Sequence, residues 1–145
     1  MRFSFDAGSA PVNARRLTSV LGLLLLAALS LLLSAFHGFV GWHKAFSPRE
    51  ELVRHSAWTV HLPDVLGRAV GWTELALVAA LLAALARPAL ARVGLWACVA
   101  FVVLEVISSV THYVTRDGGS LVQNAVSIAL TALLAWLYAR RARPT

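Results

Sequence analysis

Four apolar stretches, each long enough to cross a lipid bilayer as a helix, dominate the 145-residue sequence. About 20 helical residues span the hydrocarbon core of a membrane. The stretches occupy residues 17–40, 66–86, 91–112 and 121–138. Hydrophobic residues make up 59% of the chain and charged residues 14%, whereas soluble domains have about 45–50% and about 25%. The sequence therefore predicts a protein whose solvent is the bilayer.

Short breaks between the stretches predict how the helices pack. Pro88 lies in the link between the second and third stretches, and Gly118 and Gly119 lie between the third and fourth. Proline and glycine interrupt helices, and short links make consecutive helices antiparallel neighbours. We therefore expect an all-α membrane protein, an antiparallel four-transmembrane-helix bundle that forms a single domain over residues 1–145.

Basic residues flank the stretches unequally, which predicts the orientation in the membrane. Eight arginines lie at the termini and beside Pro88, whereas five basic residues lie on the other side and are offset by four acids. Cytoplasmic segments carry the excess of Lys and Arg. We therefore expect a multi-pass protein of a bacterial inner membrane with both termini inside. Its cytoplasmic tails would be residues 1–16 and 140–145, and its outer loop residues 41–65.

The composition also bears on partners and cofactors. The formal charge is +6, but the basic residues lie beside hydrophobic segments and form no aromatic-interleaved patch, which argues against nucleic acid. A single cysteine, Cys98, excludes a disulfide framework and a Cys-x-x-C motif within one chain. His37 and His112 are expected at different depths, a poor arrangement for axial haem ligation. We therefore predict no intrinsic flavin, haem or metal.

The outer loop carries a helix-start signal. Ser47-Pro48-Arg49-Glu50 has the spacing of a capping box, with proline at the first helical position. This pattern predicts a short surface helix between the first two spans. We expect Leu52, Ala57 and Trp58 to lie in the membrane interface beside Trp42, where aromatic side chains are common. A tethered loop without that contact is the alternative.

Each predicted span carries one polar stripe. Residues three or four apart share a helix face, and His37, Glu74 and Glu105 each lie seven residues below the outer end of their span, or about 10 Å. The stripes should therefore meet in one layer in the outer half of the bundle. They comprise Ser30, Ser34, His37, Gly41 and Lys44; Gly67, Gly71 and Glu74; Cys98, Glu105, Ser108 or Ser109, and His112; and Ser120, Asn124, Ser127 and Thr131.

The two buried acids indicate a function for this layer. A charged side chain facing lipid costs at least about 2.5–3.5 kcal/mol, so Glu74 and Glu105 should face inward and find polar partners. Small residues let helix backbones approach closely, which suits Gly41, Gly67 and Gly71, either within a monomer or between copies in a homo-oligomer. The predicted ligand-binding and proton-exchange pocket consists of His37, Lys44, Glu74, Glu105, His112 and Asn124.

The order of these residues resembles the DoxX-like family of small four-helix inner-membrane proteins. The resemblance covers about residues 18–140. Glu105 departs from the family pattern, in which an apolar residue is usual, which indicates either a subgroup with altered chemistry or a private pairing with Lys44 or His37. The motifs that match are Gly41-Trp42-His43-Lys44, similar to the family's G-x-x-K; Gly71-Trp72-Thr73-Glu74, similar to its G-x-x-E; Thr111-His112 at the end of the third span; and Asn124 near the start of the fourth.

The resemblance implies a membrane component of a quinone-linked redox system. Such a protein would work with an oxidoreductase partner subunit and would not be catalytic alone. Its ligand would be a quinone, or a lipid headgroup of similar size, with an isoprenoid tail in the leucine-rich inner half. Two alternatives stay open. One is a structural or assembly subunit without a ligand, and the other is a proton-coupled small-molecule transporter with Glu74 and Glu105 as its relay.

Overall fold

The protein is an all-α bundle, as the computed structural model of residues 12–116 and 121–143 shows. Four of its helices are long and apolar enough to cross a membrane, so the predicted fold class is confirmed. The predicted break at Gly118 and Gly119, the stripe residue Ser120 and the outermost parts of both tails lie outside the described residues. The helices are α1 (Val12–Phe46), α2 (Arg49–Arg54), α3 (Asp64–Ala86), α4 (Ala91–Thr115) and α5 (Leu121–Arg141), with one-turn 3-10 helices at Trp58–His61 and Pro88–Leu90.

The four spanning helices pack around the bundle in chain order. Helix α1 packs mainly on α3, α3 on α4, and α4 on α5, while α5 makes a smaller contact with α1. Helices α1 and α3 run antiparallel, since a Cβ on Gly38 would lie 4.0 Å from Val78 and one on Gly41 would lie 2.9 Å from Glu74. Helices α4 and α5 also run antiparallel, as the hydrogen bonds of Asn124 with Ser108 and of Ser127 with Glu105 show. We call the end that carries α2 the loop end, and the opposite end, with Pro88–Leu90, the terminal end.

Leucine side chains and one tyrosine fill the interior of the terminal half. Tyr138 is fully buried, and its hydroxyl lies 3.0 Å from Ser30 Oγ and donates to the Leu81 carbonyl at 3.4 Å. Gly94 makes room for the ring, because a Cβ there would lie 2.8 Å from it. Protein side chains occupy the described interior of this half. The core comprises Leu26, Leu29, Leu33, Leu81, Ala84, Ala91, Cys98, Leu134, Leu137 and Tyr138.

Glycines bring α1 and α3 into backbone contact near the loop end. A Cβ on Gly71 would lie 2.5 Å from the Ala45 nitrogen and 2.7 Å from the Gly41 carbonyl oxygen. A Cβ on Gly67 would instead lie 3.2 Å from the carbonyl oxygen of Thr59, in the 3-10 turn. Such contacts form where a helix surface lacks side chains. The chain itself therefore covers this glycine face of α3.

The loop between α1 and α3 folds back over the bundle instead of lying in the interface. Leu52 and Trp58 are 7% and 6% exposed, so their predicted interfacial position is wrong. The loop is held in this path by Arg49, whose Nη2 donates to the Val60 carbonyl at 2.6 Å. The short helix α2 is present as expected, but it begins at Arg49 with Pro48 as its N-cap and without a side-chain capping bond. The expected capping box is therefore absent.

Candidate functional site

A cavity of about 680 Å³ opens at the loop end between α1, α4, α5 and the loop that carries α2. The buried side chains of Leu52 and Trp58 form part of its roof. The polar stripes of all four spanning helices reach it, so residues distant in sequence line one space. The lining residues that the sequence predicted are Lys44, Glu74, Glu105, His112 and Asn124.

A buried ion pair joins α1 to α3 at the cavity wall. Lys44 Nζ donates to Glu74 Oε1 at 2.5 Å, and both side chains are almost fully buried. The Lys44 ammonium also lies 5.5 Å from the centroid of the Trp58 ring, within the range of a cation–π contact. Glu74 Oε2 is buried and accepts no hydrogen bond from the described residues. This oxygen lies beside Gly41, where the backbones of α1 and α3 meet.

Glu105 finds its partners on α1 and α5. Ser127 Oγ donates to its carboxylate at 3.3 Å, and His37 Nδ1 lies 3.8 Å from the same oxygen, Oε1. His37 is 1% exposed and stacks on Phe101 with ring centroids 4.0 Å apart. It therefore lies directly behind the cavity-lining carboxylate. Of the two pairings considered for Glu105, the structure has the one with His37, because Lys44 is bonded to Glu74.

Asn124 and His112 line the cavity from α5 and α4. Asn124 Nδ2 donates to Ser108 Oγ at 3.0 Å, which ties α5 to α4. His112 is 9% exposed and lies one turn beyond Ser108 on α4. The site thus offers amide, imidazole, ammonium and carboxylate groups around one cavity.

Several lining residues lie outside the predicted stripes. His43 lines the cavity, and its Nε2 lies 3.5 Å from Glu51 Oε1. The helical spacing of Phe36, Val40 and His43 was a signal for this second cavity face of α1. No sequence pattern identified Leu52 and Trp58 as lining residues. They lie in a loop, and helical spacing does not predict the path of a loop.

The arrangement suits hydrogen bonding to a small ligand more than metal coordination. No group of three or more His, Cys, Asp and Glu side chains in residues 12–116 and 121–143 is placed to hold a metal ion. Enclosed pockets with a few convergent polar groups and an otherwise apolar lining are typical of small-molecule sites. Carbonyl and hydroxyl oxygens on a ligand would match the donors and acceptors present.

Comparison with known proteins places the chain in a family. Neither the curated proteins nor the solved structures gave a match. The family model described as the DoxX-like family matches residues 28–135, which is more than half of the chain and includes all six predicted pocket residues. The match confirms the resemblance that the sequence motifs indicated. The protein therefore belongs to the DoxX-like family.

Proposed function

We propose that the cavity binds the head group of a quinone-class ligand and that the protein is a membrane subunit of a quinone-linked redox system. One observation carries this proposal: polar side chains from four helices surround a single cavity of about 680 Å³. Ligand pockets in proteins measure about 300–1,000 Å³. A ring-shaped head group with polar substituents fits within such a volume.

The donors and acceptors of the cavity match both redox forms of a quinone. A quinone presents two carbonyl oxygens, which accept hydrogen bonds, and a quinol presents two hydroxyls, which donate them. Lys44 on α1 and Asn124 on α5 both line the cavity and carry N–H donors. The carboxylate of Glu105, which also lines the cavity, supplies an acceptor. The same wall can therefore hold either form.

Proton exchange falls to Glu105 and His37 in this proposal. Quinone reduction takes up two electrons and two protons, and a carboxyl group and an imidazole are suitable proton carriers. His37 Nδ1 lies 3.8 Å from Glu105 Oε1. The electrons must come from an oxidoreductase partner, since the chain has no flavin, nicotinamide or iron–sulfur motif of its own. The arginine excess at the termini supports an outer position for the loop end, in a bacterial inner membrane.

A structural subunit is the second candidate, and a specific observation favours it. Interhelical hydrogen bonds such as Ser30 with Tyr138 and Asn124 with Ser108 tie the helices together without any ligand. Bonds of this kind contribute about 0.6 kcal/mol each on average. Proton-coupled transport has weaker support, because the packed core at Leu33, Leu81 and Leu134 lies between the polar layer and the terminal end.

Equilibrium binding of decylubiquinone to detergent-purified protein separates the two candidates. The variant Asn124→Leu removes a cavity donor, whereas the control Tyr138→Phe removes an interhelical hydroxyl contact in the other half of the bundle. The quinone proposal predicts about 3–10-fold weaker binding for Asn124→Leu, the value of one hydrogen bond, and unchanged binding for Tyr138→Phe. Stability losses in both variants without measurable binding to the wild type would favour the structural subunit.

A further inference from the structure

The cavity is closed toward the middle of the membrane. His37 and Phe101 stack beneath it, and each is 1% exposed. Below them lie Leu33, Leu81 and Leu134 of the packed core. A ligand with an apolar tail therefore cannot extend the tail down the axis of the bundle.

Two sides of the cavity are also closed by helix packing. Helices α1 and α3 meet at Gly41 and Gly71, where no space remains for a Cβ. Helices α4 and α5 are joined by the hydrogen bond from Asn124 to Ser108. Of the two remaining sides, the one between α3 and α4 has the larger helix contact, so the least packed side lies between α1 and α5.

Exposed residues of the cavity lining show where this remaining side opens. Phe39 on α1 lines the cavity and is 65% exposed. Gln123, in the first turn of α5, also lines the cavity and is exposed. In the loop, Leu52 and Trp58 are buried, whereas Arg54 and His55 line the cavity and are exposed, so a second, polar edge of the cavity lies at the loop. The exposed edge beside the lipid is therefore flanked by α1 and α5.

We infer that this edge is a lateral mouth through which an amphiphile enters from the bilayer leaflet at the loop end. Its polar head occupies the cavity, and its apolar tail remains outside, against α1. Leu32, Phe36 and Phe39 follow one another at spacings of four and three and so share one face of α1. The apolar tail lies along this face of α1. The inference rests on the proposed function and adds to it the route by which a lipid-dissolved quinone enters and the position of its hydrocarbon tail.

The hydrocarbon tail of the ligand determines how the ligand enters and how it is oriented, and it contributes little to the binding affinity. Lipid chains are as apolar as leucine side chains, so moving a tail from lipid to the surface of α1 gains little free energy. A comparison of dissociation constants for tailed and tailless quinones would mostly measure their partition into the membrane. The position of the tail in the bound state is the informative measurement.

Photolabelling measures that position directly. The probe is a decyl quinone with a diazirine in its tail, bound to the full chain in lipid nanodiscs and mapped by mass spectrometry. The competitor is the tailless 2,3-dimethoxy-5-methyl-benzoquinone. We expect labelling of residues 32–39 and of the first turns of α5 that is lost when the competitor is added. Labelling near the lipid-exposed Val103 on α4 should persist, since it reports free probe in the membrane.

A matched pair of variants tests the mouth itself. Gln123→Trp places a large ring at the cavity edge, whereas Val122→Trp places the same ring on the adjacent residue, which is exposed and does not line the cavity. Loss of competable labelling is expected for Gln123→Trp only. If the tailless quinone binds but competable labelling lies on another face, or is equal in both variants, the lateral mouth is refuted and the proposed function stands. If the tailless quinone does not bind, the proposed function itself fails.

Discussion

Lys44 on α1 and Glu74 on α3 form an ion pair of 2.5 Å at the place where the backbones of the two helices touch. The close approach of the two backbones brings the two charges together, and the ion pair in turn holds the helices at this contact. Gly41 and Gly71 remove the side chains that would hold the helices apart, since a Cβ on Gly71 would lie 2.7 Å from the Gly41 carbonyl oxygen. The family-like motifs G-x-x-K and G-x-x-E thus describe one joint between two helices.

Breaking this ion pair from one side should destabilise the protein strongly. In Glu74→Gln the Lys44 ammonium remains buried without its counter-charge, which costs about 3–5 kcal/mol in comparable pairs. The double variant Lys44→Met with Glu74→Leu removes both charges and should regain most of the loss, because apolar residues of similar volume often replace buried pairs without penalty. Unfolding in mixed detergent micelles measures both free energies. A double variant as unstable as Glu74→Gln would contradict this account.

The helix joint should be sensitive to a single methyl group. Gly71→Ala places a Cβ 2.5 Å from the Ala45 nitrogen, so α1 and α3 must move apart. Such overpacking costs about 1–3 kcal/mol. The matched control is Gly22→Ala, where a Cβ would have no neighbour within 4 Å, and it should leave the free energy of unfolding unchanged or slightly raised. Equal stability of the two variants, measured in the same micelles, would show that the joint is not tightly packed.

Much of the polar layer could be predicted because membrane helices obey two simple constraints. Their period places residues such as Lys44 and Glu105 on one face, and the cost of charge in lipid turns that face inward. Counting residues from the ends of the spans then gives the depth. These constraints apply to each helix separately, which is why the five lining residues could be proposed without a structure.

The remaining features depend on how elements meet, which the period of one helix does not contain. Trp58 was expected in the interface, since aromatic residues favour that zone, but the loop returns over the bundle and buries it. Gly94 gave no signal, because a single glycine in a helix does not identify Tyr138 as its neighbour. The closed terminal half likewise follows from the packing of leucines from several helices.

The orientation in the membrane should follow the arginine distribution. In a Cys98→Ala background, Val53→Cys places an exposed thiol in α2 at the loop end, and Arg143→Cys places one beyond α5 at the terminal end. A membrane-impermeant maleimide added to intact cells should label residue 53 and spare residue 143, because the arginine-rich side stays in the cytoplasm. Labelling of residue 143 alone would reverse the topology and place the cavity on the cytoplasmic side.

The most direct test of the central claim is quenching of Trp58 fluorescence by decylubiquinone. Trp58 lines the cavity, whereas Trp96 on α4 is 68% exposed toward lipid and does not line it. Two variants are compared, each retaining only one of these tryptophans, with phenylalanine at the other four positions. A quinone site predicts saturable quenching of Trp58 and a linear, unsaturable decrease for Trp96, which senses quinone dissolved in the membrane. Linear quenching of both tryptophans would contradict the claim that the polar layer binds a quinone.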